Sequence, residues 1–311
     1  MNSSVFAAPI TFTVYSSLGV YNSALVVCIF VLYVSGLCIN LFLILVICVE
    51  SRLHRPMYIL PVNLALSGVM GSSCVCPIII KHLIADRKET SLAGCLSQVF
   101  FCNVYSCCIF CLLALMAYDR YISICKPLQY HSIMTPTKVK LMLTGVYFVL
   151  SSSSATQVYL TSSLTLCSHT VNKLLCDSLA IANLSCTHTP LISVFGMCCA
   201  VCFIVFPCFL VILSYVHIFI VTLKTSKESQ RKALHTCTPH LVTFINFSAA
   251  SFFGLIYNRV GHKVPEVFNV VIGINFFVIP PLLHPVIYGI KMQEIRQSVK
   301  KIMKEKITQF R

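Results

Sequence analysis

Seven runs of about 20 or more mostly apolar residues alternate with short polar loops along this chain. They lie at 24–48, 57–80, 96–118, 139–161, 191–222, 235–257 and 265–289. Each is long enough to cross a bilayer core as a helix, and the fifth is long enough to extend beyond it. After Gly289 the pattern changes. Met292, Ile295, Val299, Ile302 and Met303 recur at helical spacing, with Lys300, Lys301, Lys304 and Lys306 between them. That is the pattern of a short amphipathic helix lying on a membrane surface. The expected architecture is therefore an all-α membrane protein. It comprises an N-terminal segment over 1–23, a seven-transmembrane helix bundle over 24–289 and a tail over 290–311. Several runs contain proline (Pro61, Pro77, Pro207, Pro280, Pro281 and Pro285). Each frees a backbone carbonyl and permits a kink. Pro285, near the end of the last run, is the expected hinge.

Charge orients the bundle. The loops after the first, third and fifth runs, with the tail, hold 17 of the 23 lysines and arginines, from Arg52 and Arg55 to Arg311. The opposite segments hold Lys81, Arg87, Lys88, Lys173, Arg259 and Lys263. By the positive-inside rule the N-terminus is outside, the C-terminus inside, and the number of spans is odd. Composition agrees with a membrane protein: 57% of the 311 residues are hydrophobic, 10% are charged and mean hydropathy is +0.86. The net charge of +14 does not point to nucleic acid, because the basic residues are scattered between spans rather than gathered on one patch. Residues 1–23 lack the basic start of a cleavable signal peptide. Asn2-Ser3-Ser4 is a glycosylation sequon at an outside terminus, and Asn183-Leu184-Ser185 is a second, in the longest outer loop.

Candidate chemistry gathers at the two ends. From Cys95 to Ala117 no charged residue occurs; Asp119 and Arg120 then follow where the third span leaves the membrane. An arginine there must be paired or reach the interface, and Asp119 is positioned to hold it as a latch. Of the 19 cysteines, most sit in apolar runs and act as small hydrophobes. Cys95, Cys167, Cys176 and Cys186 instead face the oxidising side, where they pair in one of three connectivities.

Four stretches carry a resemblance. They are Leu53-His54-Arg55-Pro56-Met57-Tyr58; Met116-Ala117-Tyr118-Asp119-Arg120-Tyr121 with Ile124-Cys125-Lys126-Pro127-Leu128; Lys232-Ala233-Leu234-His235-Thr236-Cys237-Thr238-Pro239-His240-Leu241; and Pro280-Pro281-Leu282-Leu283-His284-Pro285-Val286-Ile287-Tyr288-Gly289. In that order the chain resembles the olfactory receptors of the rhodopsin-like G-protein-coupled superfamily, with a sixth-helix wording similar to fish-type receptors. The resemblance implies that Arg120 is the conformational latch and G-protein contact, with Asp119 its partner. Tyr121, His240, Pro285 and Tyr288 fall in the same switch motifs, and Asn40 matches the first-span asparagine. It implies Cys95–Cys176 and Cys167–Cys186 pairing, a heterotrimeric stimulatory G protein as partner, and residence in the plasma membrane of olfactory cilia. The chain departs from the pattern at Gly68, Ile109 and His284, where the superfamily or the receptors carry an acidic residue, a glutamate and an asparagine. With those acidic ligands gone, no sodium site, no other metal and no cofactor are expected. His284 is expected to be a neutral, hydrogen-bonded core histidine.

A ligand is expected between helices in the outer half of the bundle. Asn103 and Ser106 share a face of the third span beside Cys107, and the sixth span offers Phe247 and Ser251. No acidic residue lies inside the bundle, so a small neutral or weakly polar odorant fits better than an amine. A channel or transporter would need charges within spans or paired broken helices, and an enzyme a nucleophile–base pair or metal spacing; neither pattern occurs. A peptide receptor or another small-molecule receptor of the same fold is the alternative.

Overall fold

A long apolar run in lipid folds as a helix because its backbone groups are then satisfied within the run itself. The computed structural model, which describes residues 9–16, 19, 22–187, 190–260 and 266–309, is built from such helices. They are α1 (Asn22–Val49), α2 (Pro56–Ile84), α3 (Leu92–Cys125), α4 (Tyr130–Ile133), α5 (Pro136–Ser162), α6 (Ser178–Ala182), α7 (Pro190–Ala200), α8 (Phe206–Leu223), α9 (Lys227–Val260), α10 (Glu266–Phe277), α11 (Ile279–Lys291) and α12 (Gln293–Gln309). Local chemistry sets the starts. Pro56 and Pro136 occupy first-turn positions where no N–H is needed. Ser91 and Thr135 cap α3 and α5 by accepting from Gly94 N at 3.1 Å and Lys138 N at 3.3 Å.

Among the described residues five spans are long and apolar enough to cross a membrane: α1, α2, α3, α7 with α8, and the stretch Val271–Gly289. A sixth is reached when Pro127–Ile133 and Pro136–Ser162, bent by 63°, are taken as one. The helix at the sixth expected run, α9, is 34 residues long but carries His240, Asn246, Ser248 and Ser251 and stands below that mark. In two places the helices outrun the apolar pattern. α3 continues to Cys125, so Asp119 and Arg120 lie within it, and α9 begins at Lys227.

The spine is α3, which packs against α2, α5, α8 and α9 and buries Tyr105, Cys108, Ile109, Leu112 and Leu113. Pro207 has no N–H to give the Phe203 carbonyl, and there the chain widens into a π turn, Val201–Val205, between α7 and α8. The last span was expected to hinge at Pro285. It runs through that proline, and it breaks at Val278, just before Pro280 and Pro281, two successive residues without donors.

At the end opposite Arg120 the chain forms a small sheet that the apolar pattern does not announce. Strand β1 (Ile10–Phe12) pairs antiparallel with β2 (Glu89–Thr90) and parallel with β3 (Thr170–Val171). Tyr15 is fully buried beneath it and donates to the Leu174 carbonyl at 2.7 Å. Two disulfides, Cys95–Cys176 and Cys167–Cys186, tie this lid to α3 and close it on itself. The lid and α3 are further joined by Gln98 Oε1, which accepts from Cys176 N at 2.9 Å.

Close approach of α2 to α3 depends on Gly71. A Cβ there would stand 2.6 Å from Cγ of Tyr105, a fully buried ring. Gly71→Ala is expected to destabilise the fold by about 1–3 kcal/mol through overpacking, read as a lower Tm of purified protein; an unchanged Tm contradicts the packing described.

Candidate functional site

Arg120 is 5% exposed and lines two cavities. The larger, about 900 Å³, lies between the start of α2, the end of α3, α4 and the start of α9, and is lined also by Arg55, Asp119, Tyr130, His131 and Lys232. The smaller, about 440 Å³, is lined by Tyr58, His240, Tyr288 and Glu294 from α2, α9, α11 and α12. One buried arginine therefore faces open space on two sides, where α2, α3, α4, α9, α11 and α12 come together.

Asp119 does not hold Arg120 as an ion pair. Its carboxylate, 1% exposed, accepts instead from the Tyr130 hydroxyl at 2.8 Å. Among the described residues the ion pairs are Lys173–Asp177, Lys232–Glu228 and Lys301–Glu50. The expected latch is thus corrected at its partner. Neighbouring side chains on a helix point about 100° apart, and the loop tyrosine reaches the carboxylate from α4.

His240 ties three helices together beside Arg120. Its Nε2 lies 2.9 Å from the Leu113 carbonyl of α3, and its Nδ1 2.6 Å from the Tyr215 hydroxyl of α8. A carbonyl only accepts, so Nε2 carries the proton and Nδ1 accepts from Tyr215. Tyr288, 2% exposed, points its hydroxyl at Met116 Sδ, 4.0 Å away on α3. Tyr121, half-buried, meets His217 of α8 edge to face. Tyr58 donates to Glu294 at 2.6 Å, and Lys301 meets Glu50 at 3.0 Å, so α12 is fastened to the ends of α1 and α2.

The prolines of the last span leave carbonyls that neighbours capture. Pro285 cannot donate to the Pro281 carbonyl, and Asn40 Nδ2 takes it at 2.7 Å. Pro280 cannot donate to the Phe276 carbonyl, which accepts from Tyr105 at 3.2 Å. His284 is buried, yet neither of its ring nitrogens meets a protein partner. The expected hydrogen-bonded histidine is corrected to that extent.

The five residues expected to meet a ligand lie towards the disulfide end, and none lines either cavity. Phe247 is fully buried among Phe110, Phe276 and Tyr105, at ring separations of 4.9, 5.1 and 6.1 Å. Ser251 donates to the Phe247 carbonyl at 2.7 Å and Ser106 to that of Cys102. Asn103 and Cys107 are half-buried. Asn2 lies outside the described residues, while Asn183 is exposed at the end of α6. Sequence reasoning missed Tyr105, Tyr130 and Tyr215. One signal was available: a tyrosine in or beside an apolar run must find a partner for its hydroxyl.

Comparison with known proteins bears on what this arrangement does. A family model described as olfactory receptor matches residues 27–306. Human Olfactory receptor 5K3 is 33% identical over 286 residues, which is 92% of this chain and 88% of the relative. Human Olfactory receptor 52H1 is 30% identical over 273 residues, 87% and 86% of the two chains. The dog olfactory receptor-like protein OLF3 is 32% identical over 266 residues, 85% and 83%.

The Tyr130–Asp119 contact gives a direct test. Tyr130→Phe leaves a buried carboxylate without its donor and is expected to cost about 1–3 kcal/mol. Thermal unfolding should show that loss in the wild-type background and a smaller one in Asp119→Asn; equal losses in both would place the tyrosine's role elsewhere.

Proposed function

The chain belongs to the olfactory receptor family, a family of multi-pass plasma-membrane receptors and not of enzymes, and from that premise we propose how this member works. It binds a small neutral or weakly polar odorant in the half of the bundle nearest the disulfides. Binding activates a heterotrimeric stimulatory G protein at the Arg120 end. Seven spans cross the membrane, α9 among them, with the N-terminus and the disulfide lid outside and α12 lying along the inner lipid surface. The charge asymmetry of the loops supports that orientation, and so does the placement of both disulfides at one end and Arg120 at the other.

The observation that carries the reading is Arg120, buried within α3 and facing a cavity of about 900 Å³ whose other walls are the ends of α2, α4 and α9. A cavity of that size admits a segment of another protein, and Arg55 and Lys232 add positive charge at its rim. Ligand binding shifts a pre-existing equilibrium between bundle arrangements. In the one it favours, the Lys227 end of α9 stands farther from α3, and the His240 bridge to Leu113 and Tyr215 is the contact that must rearrange.

The ligand side rests on Asn103, Ser106, Cys107, Phe247 and Ser251. Ser106 and Ser251 donate to backbone carbonyls of their own helices and are left only to accept, so Asn103 supplies the amide donor for a ligand, and burial against aromatic and thiol surface supplies most of the affinity. Asn2 is the proposed glycosylation site.

Two outcomes follow. Arg120→Ala should abolish odorant-driven cyclic AMP in cells supplied with a stimulatory olfactory G protein while leaving surface expression unchanged; signalling that survives refutes the role given to Arg120. Neutral odorants should be agonists, since Asn103, Ser106, Cys107, Phe247 and Ser251 include no carboxylate to pair an amine; a panel in which aliphatic amines alone respond refutes the ligand class.

A further inference from the structure

Tyr105 makes more contacts of consequence than any role above gives it. It lies on α3, fully buried. On one side its ring fills the space left by Gly71 of α2. On the other it meets Phe247 of α9 edge to face, and Phe276 and Phe277 of α10 at 5.9 and 5.5 Å. Its hydroxyl donates to the Phe276 carbonyl at 3.2 Å.

That carbonyl is a special one. In a helix it accepts from the N–H four residues on, and that residue is Pro280, which has none. The next donor along would be Pro281, which also has none. The break in the last span at Val278 follows from this pair. A carbonyl without a partner in lipid is costly, and among the described side chains Tyr105 is the one that meets it.

We infer that Tyr105 is the positioning residue that holds the broken seventh span against α3, by capping the carbonyl that Pro280 leaves free, and that it relays the state of the ligand wall to that span. The relay is short. Phe247, the aromatic residue proposed to wall the ligand, packs on both Tyr105 and Phe276. A ligand that moves Phe247 therefore moves the ring whose hydroxyl fixes α10. From there α11 carries Tyr288 to Met116 and the smaller Arg120 cavity. The signalling part of this inference rests on the reading of the chain as a receptor; the contact itself does not.

A mutant cycle separates the two. Tyr105→Phe keeps the ring and removes only the donor. Pro280→Ala restores the helical N–H, so the Phe276 carbonyl no longer needs the tyrosine. Thermal unfolding of purified full-length receptor should show Tyr105→Phe lowering Tm by about 2–4 °C in the wild-type background. In Pro280→Ala the same change should shift Tm by less than about 1 °C. Equal shifts in both backgrounds, or no shift in the wild type, overturn the inference. In cells, Tyr105→Phe should raise basal cyclic AMP by roughly two- to tenfold, and should not do so in Pro280→Ala. Unchanged basal signalling beside an intact Tm cycle overturns the relay. Coupling that fails in every variant, with agonist present, overturns the receptor reading, while the Tm cycle still decides the contact.

Discussion

No water reaches the apolar middle of a bilayer, so every backbone polar group there needs a partner within the protein. Proline breaks that rule wherever it appears in a span, and at three prolines of this bundle the way the breach is closed shapes the packing. Pro285 frees the Pro281 carbonyl, and Asn40 of α1 takes it. Pro280 frees the Phe276 carbonyl, and Tyr105 of α3 takes it. Pro207 is met differently, by a π turn over Val201–Val205 within its own span. Two of these repairs bind the last span to other helices. They convert local defects into contacts between helices that are far apart in sequence.

The same helix, α3, joins the two ends of the molecule. At its start Cys95 and Gln98 hold the lid through Cys176. Midway Tyr105 gathers the aromatic residues of α9 and α10. Lower down, the Leu113 carbonyl meets His240, Met116 meets Tyr288, and Asp119 meets Tyr130. Arg120 closes the series, facing open space. Few of these links are apolar side-chain packing alone. Most are directional hydrogen bonds made by one donor to one acceptor, and such bonds have discrete alternatives. A chain of them suits a protein that must hold one arrangement and adopt another on demand.

The helices were legible in the sequence because a lipid-facing run leaves a long unbroken signature, and the disulfide pairing because the family resemblance resolved what spacing left open. What was not legible depended on contacts across the fold. The β1–β2–β3 sheet joins strands of two or three residues from the N-terminal segment and two distant loops, too short to leave a period. The Val278 break was written in Pro280 and Pro281, yet Pro285 drew the expectation because it lies near the inner end of the last run. Asp119 and Arg120 were adjacent in sequence and so looked paired; helical geometry turned them apart and gave Asp119 to a loop tyrosine. The candidate ligand residues were chosen by depth in the span, and depth does not say which hydroxyls already donate to their own helix, as those of Ser106 and Ser251 do.

The central claim is that occupancy at the disulfide end changes what the Arg120 end does to a G protein. Guanine-nucleotide exchange on a purified stimulatory heterotrimer, with the receptor reconstituted in lipid nanodiscs and titrated with a panel of neutral odorants, measures it directly. At least one odorant should accelerate exchange above that of the unliganded receptor. An odorant that binds, raising the receptor's Tm, while exchange stays at the level of empty nanodiscs across the panel, would contradict the account.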